Sequence, residues 1–392
     1  MPRSTALAKG ARITGGAFCL LFFLYTAFWL CHDIGEFGAV GVWDAWTGRG
    51  VAGVNMVSNS TQCGLAVVQL SAAIAAFAGR RAAGGLLAVA TTFTFATAVQ
   101  TMISTGNHTS TNRWFLKADM GADPFEAVFL GSLPLFLLAF VAGVVLLCGM
   151  RSWPRPTPSA PPLRPVKAAG AVSGLVLGAM ALCSVIWQIT MLVEGGNPDA
   201  FVVLYLGKGV LTSLTALAPG WYALVILVLT GVGALTSLMR GGAARGLAMG
   251  LATVLLLNAV LTVIALADSG ALFRISDAAP GLSILNTVQW MLDLLGSIAL
   301  FALMGKGEPV APGWQPPAPA LQFAGPGFVP PGPQAPPQGS WQQPFPPQPG
   351  PLPPAPSAGV PPMPPGTPPG PQGPPPVPGP PSAPGGFGPP QY

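Results

Sequence analysis

The chain has 392 residues, of which 51% are hydrophobic and only 7% charged, with a formal net charge of +5. Soluble proteins carry about 25% charged residues, so a folded surface of this size could not be covered. The composition excludes a soluble multidomain enzyme and identifies a polytopic membrane protein.

A spanning helix needs roughly 20 apolar residues. Eight stretches qualify, at 12–32, 63–79, 82–104, 126–150, 168–193, 220–239, 245–267 and 283–304. Arg3, Lys9 and Arg12 precede the first, but no small-x-small cleavage site follows it, so it is an uncleaved span and not a signal peptide. Arg80-Arg81, Arg151, Lys167, Arg240, Arg245 and Lys306 mark the ends of the others. The apolar stretch 200–217 is interrupted by Gly207-Lys208-Gly209 and reads as interfacial or re-entrant. With eight spans, twelve Lys and Arg fall on the side that holds both termini and five on the other. The basic side is therefore expected to be cytoplasmic, at the plasma membrane. The positive balance is spread over short loops, with no basic run interleaved with aromatics, so nucleic acid is not an expected partner.

The body repeats. A first four-span unit (1–151) and a second (167–306) each have a long outer loop after the first span and a tight basic inner turn after the second. Measured between charged ends, the offset is 155, which places Leu138 opposite Asp293. Trp46-Thr-Gly48-Arg49-Gly50-Val and Tyr205-Leu-Gly207-Lys208-Gly209-Val share an aromatic-x-Gly-basic-Gly-Val pattern in the first outer loop of each unit. An even number of spans per unit predicts a parallel repeat about an axis along the membrane normal. Between the units, 152–166 is a Pro/Arg-rich cytoplasmic linker.

The remaining segment, 307–392, is a Pro/Gly-rich tail: 35 of the 47 prolines follow residue 304, and no charged residue follows Pro309. Proline removes backbone donors and glycine is costly to order, so the tail is expected to be disordered polyproline II and coil. Proline-rich tracts dock in aromatic grooves, which makes a cytoplasmic protein the expected partner besides the lipid bilayer. The Ala/Gly richness, the excess of Arg over Lys and the tail resemble integral membrane proteins of GC-rich bacteria, a likeness of composition that implies no activity.

Catalytic chemistry is not visible. Two histidines, His32 and His108, build no metal site by themselves, and there is no GxxxxGK[ST], HExxH or CxxC. No cofactor or metal is expected. Cys31 and Cys63 fall at the outer ends of the first two spans, where an oxidising compartment makes a disulfide possible, the alternative being two free thiols. The ten outer carboxylates, Asp33 among them, read as a solvated face. One constellation stands out: Asn286, Gln289, Asp293 and Ser297 are spaced three, four and four residues apart, one polar stripe on the eighth span. A carboxylate at mid-span costs roughly 2.5–3.5 kcal/mol on insertion scales and is expected to face a cavity or a partner. Asn258, Thr262, Gln188, Thr94, Thr97, Gln100 and Thr101 are the candidate neighbours. Two functions follow as expectations: a non-enzymatic scaffold with an interaction tail, or a small-solute or proton/cation-coupled transporter built on the stripe.

Overall fold

A computed structural model describes residues 5–47, 49, 56–109, 111–115, 122–152, 163–195, 198–275, 277 and 279–309. Gly48, Gly50, most of the linker (153–162) and the tail from 310 onward lie outside the described residues. The body is helical: α1 (Lys9–Trp46), α2 (Ser60–Phe77), α3 (Ala83–Gly106), α4 (Ala122–Cys148), α5 (Lys167–Gly195), the short α6 (Pro198–Phe201), α7 (Pro219–Leu238), α8 (Ala244–Asp268) and α9 (Pro280–Met304). Eight of these, all except α6, are long and apolar enough to cross a membrane. Seven of them coincide with predicted stretches to within a few residues, and α1 contains the eighth. Pro219 and Pro280 open their helices at positions where the missing N–H costs nothing. Asn59 caps α2, its side chain accepting from Gln62 N at 3.2 Å.

The main departure is α1. It runs fourteen residues past the predicted end at 32, to Trp46, with a break at Gly38 (φ 71, ψ 163) that only glycine adopts cheaply. The segment 200–217 is no span: α6 passes into a π-helical turn, Val202–Leu206, and an irregular stretch follows.

The helices pack as two groups of four with the same pairings. In the first, α1 packs on α2 and α4, and α3 on α2 and α4. In the second, α5 packs on α7 and α9, and α8 on α7 and α9. Between the groups, α3 meets α8, α2 meets α8 and α3 meets α7. Fully buried Phe22, Phe93, Leu177, Met180, Leu251 and Leu300 fill the interior, while Leu24, Phe28, Leu137, Leu147, Leu175 and Leu235 are exposed to what would be lipid.

The α3–α8 crossing is a backbone contact. A Cβ at Gly85 would overlap Leu247 N and Ala243 O, and one at Gly246 would overlap Ala82 O. In lipid, where apolar surface gives helices no reason to associate, such close approach supplies the van der Waals energy.

Local structure recurs at fixed spacings. The turn before α3 has Gly79 at φ 68, and the turn before α8, 161 positions on, has Arg240 at φ 54. Arg80 N donates to Ala75 O and Ala83 N to Arg80 O; Gly241 N donates to Thr236 O and Ala244 N to Gly241 O. Buried and half-buried positions match one for one between 83–94 and 244–255. In α1, Thr26 Oγ1 donates to Phe22 O; in α5, 158 positions on, Ser184 Oγ donates to Met180 O. Each group is also closed at its basic end by a two-stranded antiparallel clasp: β1 (Thr5–Leu7) with β2 (Met150–Ser152), and β3 (Leu163–Arg164) with β4 (Glu308–Pro309).

Candidate functional site

At the end of the bundle away from the clasps, the first group is covered by the irregular stretch of the second. Leu214 N donates to Met56 O and Thr215 N to Val57 O, both at 3.0 Å. Gly209 N donates to Trp114 O at 2.9 Å. Gln62 Nε2 of α2 donates to Thr215 O at 3.1 Å, and Gln100 Nε2 of α3 to Leu206 O at 2.8 Å. Beneath these bonds, Leu211, Leu214, Ala216 and Ala218 pack on Trp29, Val57, Trp114 and Phe115 in a separate apolar cluster. The irregular stretch can be buried because its backbone groups are paired, the condition for non-helical chain at membrane depth.

Asp33 anchors this cover. It is fully buried, and its carboxylate accepts from Val57 N at 3.2 Å, Ser58 N at 2.6 Å and Ser58 Oγ at 2.5 Å. The hydrogen bonds run from Asp33 through Val57 to Thr215, whose Oγ1 donates to Val57 O at 2.6 Å. The expectation that Asp33 belongs to a solvated face is wrong. On α1 it continues the inward row Phe22, Thr26, Trp29, all buried, and the loop at 56–58 supplies the donors that let a carboxylate leave water.

Beside Ser58, which Asp33 receives, lies a small cavity of about 10 Å³, room for about one water. Tyr25, Thr26 and Trp29 line it from α1, Gln62 and Gln69 from α2, Thr94 and Thr97 from α3, Leu135 from α4 and Thr215 from above. Gln69 Nε2 donates to Thr94 Oγ1 at 2.8 Å, while Gln69 Oε1 and Thr97 Oγ1 have no hydrogen-bond partner among the described residues. A second space, an open groove of about 470 Å³, lies between α1 and α4 and is lined by Phe28, Trp29, His32, Pro124 and Gly131.

The polar stripe of α9 faces inward in part. Ser297 is fully buried and Asn286, Gln289 and Asp293 are half-buried, whereas Ile284, Val288, Leu295 and Ile298 are at least half exposed. Asp293 lies near enough to Tyr222 of α7 and Cys183 of α5 to act on both electrostatically. Three of the neighbours anticipated from sequence are engaged elsewhere: Asn258 accepts from Ser60 and Thr61, Gln188 from Tyr205, and Gln100 bonds Leu206 O. Neither cavity is lined by Asp293. The opposite position also changes. Buried Leu135, Ala139, Ala142 and Leu146 on α4 stand at a constant spacing of 158 from Asp293, Ser297, Leu300 and Met304 on α9, a spacing that sets Leu135, rather than Leu138, against Asp293.

Other sequence-derived sites fare differently. In the two outer-loop motifs, Arg49 forms an ion pair with Asp268 at 2.6 Å, whereas Lys208 is exposed. Trp46 ends α1, while Tyr205 Oη donates to Gln188 Oε1 at 2.6 Å. Gly207 and Gly209 have φ of 82 and 80. The described parts of the motifs thus do different work. Cys31 and Cys63 are both free thiols. Cys31 lies two residues from both Trp29 and Asp33, about 200° round the helix from the buried face, and is exposed. Comparison with protein-family models, curated proteins and solved structures gives no match to this chain.

Proposed function

We propose that the chain is a non-enzymatic, multi-pass membrane scaffold whose body anchors a Pro-rich interaction tail. One observation carries this reading: the irregular stretch of the second group is hydrogen-bonded into the first along its length, from Gly209–Trp114 to Thr215–Val57. With the Gly85–Gly246 contact at the basic end, the groups are tied at both ends. Alternating access would have to break these bonds; a static anchor uses them.

We infer further that the body is a tandem duplication about a pseudo-twofold axis along the membrane normal, near the α3–α8 crossing. The repeated turns, clasps and helix pairings support it. The excess of Lys and Arg at the clasp end supports a cytoplasmic location of that end and of the tail, at the plasma membrane of a bacterium. There the uncharged proline tracts from 310 onward would meet protein partners.

The test compares two variants in cells. Deletion of residues 310–392 should dissolve a cross-linkable assembly that Asp293→Asn leaves intact. The reverse pattern refutes the scaffold.

Transport is the second reading, favoured by Asp293 itself. It is a mid-span carboxyl within electrostatic reach of Tyr222, whose buried hydroxyl has no hydrogen-bond partner among the described residues. On that reading Asp293→Asn removes pH-dependent flux in proteoliposomes.

A further inference from the structure

The clasp ends of the two groups share a guanidinium that arrives from different helices. In the second group Arg240, in the turn before α8, lies over Gly170 of α5: a Cβ on Gly170 would stand 3.4 Å from Arg240 Cγ. In the first, Arg12 of α1 lies over Gly79 of the turn: a Cβ on Gly79 would stand 3.4 Å from an Arg12 terminal nitrogen. At the spacings of 158 and 161 residues, Arg12 corresponds to Gly170 and Gly79 to Arg240. Arginine and glycine have changed places, and the charge stays between the same two elements.

Among the described residues, only one of the two guanidinium groups finds a counter-ion. Arg240 donates to Pro165 O at 3.0 Å and to Glu308 Oε2 at 2.6 Å. The Arg12 side chain makes no hydrogen bond among the described residues, and its Nε is closed off from solvent. Where Glu308 follows Gly307 after α9, Met150 follows Gly149 after α4, and Met150 is 52% exposed. Among the described carboxylates, Glu308 is the one at this end of the bundle, and it is already taken. The exposed Arg80 and Arg81, next in the chain after Gly79, add positive charge and offer Arg12 no counter-ion.

We propose that the first group completes this site with the phosphate of an anionic lipid, which takes the place that the Glu308 carboxylate holds in the second. Guanidinium matches phosphate and carboxylate in the same forked geometry. Arg12 lies in the first turn of a spanning helix, at headgroup depth, where anionic lipids gather beside basic residues. The lipid, not free phosphate, is committed to because the bilayer holds it at that depth.

The test is native mass spectrometry of the full chain released from bilayers of phosphatidylcholine mixed with phosphatidylglycerol. Wild type should retain one phosphatidylglycerol that Arg12→Gln loses. Met150→Glu, a change at an exposed position that leaves Arg12 in place, should lose it too by filling the site from within. Glu308→Ala, which frees Arg240, should gain a second. Circular dichroism checks that each variant folds, and Met150→Glu decides if Arg12→Gln does not. Equal retention by wild type and folded Met150→Glu overturns the proposal. Displacement of the lipid by inorganic phosphate assigns the site to a free anion and overturns it as well.

Discussion

The two groups of four helices share a framework and differ in what they enclose. In the first, polar side chains on α1, α2 and α3 surround a space for about one water, with Leu135 the apolar wall. In the second, the places of Gln62 and Thr94 are taken by Ala223 and Leu255, and the place of Leu135 by Asp293. At the same spacings Thr26, Gln69 and Thr97 keep polar counterparts in Ser184, Thr230 and Asn258, so the polar interior is thinned on the first three helices while a carboxyl is added on the fourth. The covers differ too: Asp33 holds a buried loop in the first group, while the residue 158 positions on, Met191, has no side-chain group that could receive such donors. Backbone contacts and turns define the framework and tolerate this exchange, since paired helices need shape more than any one interior polar group.

The largest expected effect separates framework from filling. Gly85→Leu drives a side chain into the α8 backbone, which cannot give way, and should cost about 3 kcal/mol or more, with loss of the monodisperse species in detergent. Gly143→Leu, at a position with nothing within 4 Å, should be tolerated; equal damage at both sites would erase the distinction. Next comes Asp33→Ala, which strands the two N–H groups and the hydroxyl that it receives. Thermal unfolding should report a loss of about 2–3 kcal/mol, with faster amide exchange at 57 and 58, while Met191→Ala should cost less than about 1 kcal/mol. Thr215→Val should cost about 1 kcal/mol by removing the hydroxyl bond to Val57 O. Smallest is Asp293→Asn: on the scaffold reading, stability should stay within about 0.5 kcal/mol of wild type. A larger loss would tie this carboxyl into the packing.

Much of the framework was legible because hydrophobic length and bounding charge are local signals. Arg80-Arg81 and Arg240 fall in the turns that separate helices, and all eight spans follow from such marks. The end of α1 was misread for the same reason. His32-Asp33 looks like a boundary, and nothing local says that donors more than twenty residues away will receive the carboxylate. Helical phase was the available signal, since Phe22, Thr26, Trp29 and Asp33 share one face. The spacing between the groups was legible only roughly. Charged ends give 155, whereas paired turns and burial give 158 and 161, which sets a different residue against Asp293. The pairing of Arg12 with Gly79 and of Arg240 with Gly170 has no signature in the chain, because at either spacing an arginine simply stands against a glycine. Which polar atoms of the interior meet depends on helix packing, so the partners of Asp293 had no signature in the chain.

The central claim, that the groups are tied into one static body, is tested most directly by a distance across the cover. Spin labels at Lys208→Cys and Thr111→Cys, in a background without native cysteines, place one probe on the irregular stretch of the second group and one on the first group's exposed outer loop. Pulsed dipolar spectroscopy in bilayers should give one narrow distance distribution that does not change with pH or with an imposed ion gradient. Two populations whose ratio shifts with either variable would contradict the account and favour a moving, transporting body.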